Sequence, residues 1–195
     1  VYGLTYDKRN RTFMPTDGSV FGFVQSVPLY ADKPFIDNTF RFSTYHEFNE
    51  NYVGSGKIFL SAINGLNDED VRLSKRKTLS TRRLRGFSKG KIGPVDGNDH
   101  IGGNYAAAVN FDVNLPNLLP DSSNTDVSFF VDFGNVWEVD YDDSLDDSNK
   151  LRSSTGINAS WISPIGPMTF TLATNLSKAS TDTTESFNFN LGTSF

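Results

Sequence analysis

Charge gathers in two stretches of this 195-residue chain. Arg72, Lys75, Arg76, Lys77, Arg82, Arg83 and Arg85 crowd one; Asp140, Asp142, Asp143, Asp146 and Asp147 crowd the other. Two more carboxylates, Asp112 and Asp132, sit inside alternating apolar segments. An arginine fork offers paired hydrogen bonds to a carboxylate, so the chemistry these residue types support is ion pairing rather than bond making. A basic run alone is most simply a solvated loop that can meet phosphates at a surface. The acidic run lacks the glycine and final glutamate of a calcium-binding loop. His46 and His100 are far apart and there is no cysteine, so neither a metal site nor a disulfide is expected. No nucleophile elbow, P-loop or GxGxxG fingerprint is present, so the chain is expected to be no enzyme and to carry no cofactor. A net charge of −5 gives a nucleic-acid partner no electrostatic support.

The elements that must position these charges are strands. Val127, Phe129, Val131, Phe133 and Trp137 point one way, Asp126, Ser128, Asp132 and Gly134 the other. Val109, Phe111 and Val113 alternate with Asn110 and Asp112; Phe40 and Phe42 with Arg41 and Ser43. Phe187, Phe189, Leu191 and Phe195 alternate with Asn188, Asn190, Gly192 and Ser194. The pattern predicts eight full strands, at 18–28, 35–48, 52–64, 102–115, 125–138, 150–163, 167–177 and 184–195, with a ninth stub at 1–7. No segment shows a helical period, and one domain is expected over 1–195. Mean hydropathy is −0.38. A barrel averages to polar because each strand alternates lipid-facing and lumen-facing residues. Segments of this length exceed the roughly 5–6 residues usual in soluble sheets. The 17 phenylalanines suit aromatic girdles. The fold expected is all-β, an antiparallel transmembrane β-barrel rather than a soluble sandwich. With the C-terminus at the periplasmic side, loops 29–34, 65–101, 139–149 and 178–183 fall outside. Turns 8–17, 49–51, 116–124 and 164–166 fall inside. The Gly54–Gly56 pair suggests a bent or closely packed strand.

Four motifs occur in order: Leu84-Arg85-Gly86-Phe87; Gly102-Gly103-Asn104 followed by Asp112; Phe130-Val131-Asp132-Phe133-Gly134-Asn135-Val136-Trp137; and Arg152-Ser153-Ser154-Thr155-Gly156 leading into Trp161-Ile162-Ser163-Pro164-Ile165-Gly166-Pro167. Tyr6-Asp7 through Pro15 and Gly18 looks like an upstream hairpin of the same kind. Together they resemble the BamA family of outer-membrane assembly factors over essentially the whole chain.

That resemblance implies several expectations. The family barrel has sixteen strands behind periplasmic POTRA domains, and this chain matches its second half, from about the eighth strand onward. With no initial Met and no signal peptide, the chain is expected to be a piece of a longer protein, inactive alone. In the family the long loop folds into the lumen. Alternation sets Asp132 and Asp112 on the lumen face of neighbouring strands, so Arg85 is expected to lock the loop onto Asp132, assisted by Asp112, where the family usually has Glu. Gly86 would allow the tight turn and Phe87 would pack the loop tip. Phe187, Phe189, Leu191 and Phe195 resemble the C-terminal signal of outer-membrane barrels. Implied partners are outer-membrane lipid and lipopolysaccharide, nascent outer-membrane proteins and assembly-complex lipoproteins. The piece itself is expected either to curl into a small barrel or to pair with another copy. The alternatives are a secretion pore of the two-partner or TamA type, or a passive porin or surface antigen.

Overall fold

A computed structural model describes residues 1–12, 14–28, 30, 32–49, 52–115, 125–163 and 166–191. Its main strands are β1 (Tyr2–Asp7), β2 (Gly18–Ser26), β3 (Phe35–Asn49) and β4 (Tyr52–Gly65). After a long loop, β7 (Tyr105–Asn114), β8 (Thr125–Trp137), β9 (Arg152–Ser163), β10 (Gly166–Ser177) and β11 (Phe187–Leu191) follow. These nine form one antiparallel meander in the order β1-β2-β3-β4-β7-β8-β9-β10-β11. The other two strands, β5 (Val95–Asp96) and β6 (Asp99–His100), make a small hairpin inside the loop between β4 and β7.

The register fixes which residues share a face. Val113, Phe129, Ile157, Leu172 and Phe187 are successive cross-strand partners from β7 to β11. Each is between 39% and 61% exposed. An apolar row running across five strands is ill placed in water and well placed against lipid. Aromatic neighbours reinforce the same face: Phe21 meets Phe40 edge-on at 5.3 Å and Phe170 meets Phe189 at 5.1 Å. The opposite face carries Lys57, Asn110, Asp132, Ser154 and Asn175 as one row of partners. The long loop lies over that polar face. Leu79, Leu84, Phe87 and Ile92 of the loop pack with Phe59, Ala106, Ala108 and Val136 of the wall, so the core sits between loop and sheet.

The four loops expected outside do meet one another. Arg72 pairs with Asp32 at 3.0 Å, Arg76 with Asp140 at 2.7 Å, and Arg152 with both Asp147 and Asp182. Tyr141 donates to Asp96 at 2.9 Å. Turn residues 50–51, 116–124 and 164–165, together with Gly192, Ser194 and Phe195, lie outside the described residues.

Several boundaries differ from expectation. The strand expected from Gly102 begins at Tyr105. Gly102 has φ +69°, and Gly103 exchanges backbone bonds with Lys77 of the loop instead. A Cβ on Gly103 would lie 2.3 Å from the Trp137 carbonyl oxygen, so only glycine fits that crossing. The last strand, expected from residue 184, begins at Phe187, and residues 183–185 pair with the loop tip. The strand expected to reach residue 28 ends at Ser26. The described strands form an open sheet rather than a small closed barrel, since β1 and β11 each have one strand neighbour.

Candidate functional site

Arg85 is delivered to the wall by the loop segment 80–86. Its Nε and Nη2 donate to the two oxygens of Asp132 at 2.7 and 2.6 Å, and its backbone N–H donates to the same carboxylate at 3.0 Å. Its Nη1 donates to Asp112 at 2.6 Å. The side chains of Arg85, Asp112 and Asp132 are 9%, 10% and 0% exposed. Burial disfavours the guanidinium charge, but the bonds it donates to Asp132 and Asp112 and the attraction of those carboxylates outweigh it and hold the proton more tightly than water would. Asp112, with its short side chain, reaches Arg85.

The polar row supports this pair strand by strand. Lys57 on β4 donates to Asp112 at 3.3 Å, so two cations face two carboxylates. Asn110 on β7 donates to Asp132 at 2.8 Å and to the Arg83 carbonyl at 2.9 Å. Ser154 on β9 donates to the Arg85 carbonyl at 2.5 Å. Asn175 on β10 donates to the Gly86 carbonyl at 2.8 Å. A loop that enters a barrel must find partners for its backbone polar groups, and this row supplies them.

Spacing explains the motifs. In Phe130-Val131-Asp132-Phe133-Gly134, alternate residues face inward. The Phe130 ring lies 3.7 Å from the Arg85 guanidinium carbon, Asp132 pairs with it, and Gly134 leaves room for Leu79 and Leu84. In Arg152-Ser153-Ser154-Thr155-Gly156 the inward residues are Arg152, Ser154 and Gly156. A Cβ on Gly156 would lie 2.0 Å from the Leu172 carbonyl oxygen and 2.9 Å from the Phe130 ring.

The structure therefore brings Arg85, Asp132 and Asp112 together, with Gly86 beside them at φ +87° and Phe87 buried. Phe187, Phe189 and Leu191 lie on the opposite, exposed face; Phe195 is outside the described residues. Of the basic run, Arg76 is buried against Asp140 and Lys77 pairs with Asp37. Arg83 stacks 3.5 Å over Phe59. Burial, with Arg41 nearby, pulls Arg83 down to about 10. Lys75 and Arg82 remain as exposed cations.

Sequence inspection missed Lys57, Asn110, Phe130, Ser154 and Asn175 as neighbours of Arg85. Their signal was parity: every one lies on the inward face of its strand. Among the described residues no group of three or more potential ligands could hold a metal ion.

Comparison with known proteins comes to the same architecture. The Omp85 superfamily domain matches residues 1–195. Outer membrane protein assembly factor BamA of Neorickettsia risticii is 27% identical over 100% of this chain and 27% of its own length. The same factor from Neisseria meningitidis serogroup B is 31% identical over 57% of this chain and 17% of its length. The crystal structure of BamA from Haemophilus ducreyi lacking POTRA domains 1-3 superposes with a TM-score of 0.89 at 27% identity, covering 96% of this chain and 40% of that one. The chain thus spans well under half the length of the relatives it matches. Its sheet is part of a bacterial outer-membrane β-barrel, and the chain belongs to the Omp85 superfamily.

Proposed function

We propose that this chain is the C-terminal part of the barrel of an outer-membrane assembly factor, and that Arg85 with Asp132 and Asp112 locks the long loop inside that barrel. The observation that carries the proposal is the polar row from Lys57 to Asn175, every member of which bonds the loop tip or a carboxylate that holds Arg85. A wall built this way keeps the loop docked without filling the barrel with covalent or metal chemistry.

The work proposed is non-enzymatic. A nascent barrel strand in lipid has unpaired backbone groups, each costing several kcal/mol. A barrel with a strand edge available for pairing lowers that cost while client strands enter the membrane. The proposed partners of the full-length protein are nascent outer-membrane proteins, the lipid and lipopolysaccharide around the barrel, and lipoproteins of the assembly complex. The exposed alternation of Phe187, Phe189 and Leu191 serves as this chain's own C-terminal signal during its insertion.

The test is depletion of the full-length gene in its own bacterium, with complementation by Arg85→Ala. Global loss of outer-membrane barrels on depletion, unrescued by the variant, is expected. Loss of a single secreted protein with other barrels intact would assign a secretion pore instead. Full rescue by Arg85→Ala would remove the proposed lock.

A further inference from the structure

Residues 86–91 of the loop pair with the last hairpin around one isolated β-bridge. Glu185 N donates to the Gly86 carbonyl at 3.1 Å, Ser88 N to that of Thr183 at 3.0 Å, and Thr183 N to that of Lys91 at 3.0 Å. Phe87 and Thr184 face each other between these bonds as an antiparallel bridge. In the β10–β11 ladder, Ala173 N donates to the Ser186 carbonyl at 2.8 Å. Backbone polar groups alternate sides along a strand, so those of Thr183 and Glu185 point away from β10. The tip therefore occupies the edge of the hairpin that β10 leaves free. Below it, among the described residues, the same edge at Phe187–Leu191 has no strand neighbour.

A second observation pins this segment. Arg152, fully buried, donates to both oxygens of Asp182 at 3.0 and 2.8 Å, to Asp147 at 2.5 Å and to Asn135 at 2.6 Å. Asp182 also accepts from Ala179 N at 2.6 Å. The residue before Thr183 is thus anchored to the wall by the first position of the Arg152-to-Gly156 motif, which the Arg85 cluster does not use. Extending the register past Leu172 and Phe187 would set Asn175 opposite Thr184. Instead, the Asn175 side chain donates to Gly86.

We infer that the loop tip and an incoming strand compete for one backbone edge at Thr183–Glu185, with Arg152 and Asp182 as the positioning pair that favours the tip. A strand pairing with β11 is then confined to Phe187–Leu191 while the loop is docked, and can extend upward only by displacing the tip. The inference rests on the proposal that the sheet is part of a closed barrel, in which some strand must pair with β11 because an open edge in lipid is costly.

The test is a cross-linking footprint in the full-length protein in its membrane. Thr183→Cys, Glu185→Cys, Phe187→Cys, Phe189→Cys and Leu191→Cys are each combined with a cysteine scan of the strand that closes on β11. Cross-links at 187, 189 and 191 are expected, with 183 and 185 at least about tenfold slower, the equivalent of about 1.4 kcal/mol. Asp182→Asn, which leaves the Arg85 cluster in place, and separately Arg85→Ala should each raise cross-linking at 183 and 185 to the level at 189. Equal rates at all five positions with the loop unaltered, or a footprint unmoved by both release variants, would overturn the competition. Absence of cross-links anywhere along β11 would instead overturn the barrel assignment. Amide exchange in the unaltered protein adds a readout free of variants. Thr183, Glu185 and Ser88 should be protected together, and exchange at Glu185 more than about tenfold faster than at Ser88 would contradict the pairing.

Discussion

Replacing Arg85 by alanine removes three side-chain donors from a site where Asp132 is fully buried and Asp112 is 10% exposed. Among the described residues Asp132 keeps the Arg85 backbone N–H and Asn110, and Asp112 keeps Lys57. Because the pair is buried, solvent screening does not soften the loss. Breaking one partner of such a pair costs about 3–5 kcal/mol. The stacking of the guanidinium on Phe130 adds about 0.5–2 kcal/mol. Lys57 offsets part of this at Asp112, so about 3–5 kcal/mol is the expected net loss in holding the loop. At 1.36 kcal/mol per decade, the undocked population rises about 10²–10⁴-fold. Trypsin reads it directly, because Arg82, Lys89 and Lys91 flank the tip and become extended substrates only when the loop leaves the wall. Cleavage of the full-length protein in its membrane should accelerate by that factor if opening is fast relative to cutting. Arg85→Lys, which keeps the charge but not the fork, should fall between. A cleavage rate within about twofold of wild type would refute the claim that a buried fork holds the loop, since about 0.4 kcal/mol is far below any buried-pair estimate.

Gly156→Ala should destabilise the barrel by more than about 3 kcal/mol, because the new methyl meets a carbonyl oxygen on the neighbouring strand that no side-chain rotation can clear; thermal unfolding in detergent checks it. Gly86→Ala forces a β-carbon onto φ +87° and should cost at least about 1–2 kcal/mol, read by the same trypsin assay. Arg83→Met should be neutral or slightly stabilising, because Arg83 is a half-buried cation over Phe59 with no carboxylate partner among the described residues to leave behind; equal loss from Arg83→Met and Arg85→Met would contradict this. The acidic loop between β8 and β9 should loosen in acid. Bonds from Ser144 lower Asp142; at Asp146 desolvation raises the value, but bonds from Ser148 and Glu138 N outweigh it. Lowered values stabilise the loop above the ordinary carboxylate value of about 3.9 and lose that contribution as pH falls through the folded-state values. Amide exchange at Ser144 and Ser148 should speed up there beyond the intrinsic pH trend.

The long strands were legible because alternation with a large apolar residue at every second position survives averaging over a whole sheet. Val127 to Trp137 and Phe187 to Leu191 declared their faces without any partner in view. Asp112 and Asp132 could be placed on one face by the same parity. What parity cannot supply is depth and register. Phe130 breaks the polar face of its strand, and only the guanidinium lying over it explains why. Lys57 is two strands away from Asp132, and the antiparallel register that aligns it with Asn110 depends on turns whose geometry the sequence does not specify. The loop was the least legible part. Its β5–β6 hairpin spans two residues a side, and its basic run looked solvated because the carboxylates that receive Arg76 and Lys77 are 64 and 40 residues away. Nor does the backbone pairing of residues 183–185 with the loop tip leave a mark on side-chain pattern.

A double-mutant cycle between Arg85→Ala and Asp132→Ala, read as the free energy of loop opening in the full-length protein, tests the lock most directly. A coupling energy of about 2–3 kcal/mol is expected, because Arg85→Ala strands the fully buried Asp132 charge, which the double variant removes, while Asp132→Ala leaves Arg85 paired with Asp112. A coupling below about 0.5 kcal/mol would mean that the two residues act independently and that the buried fork does not hold the loop in the barrel.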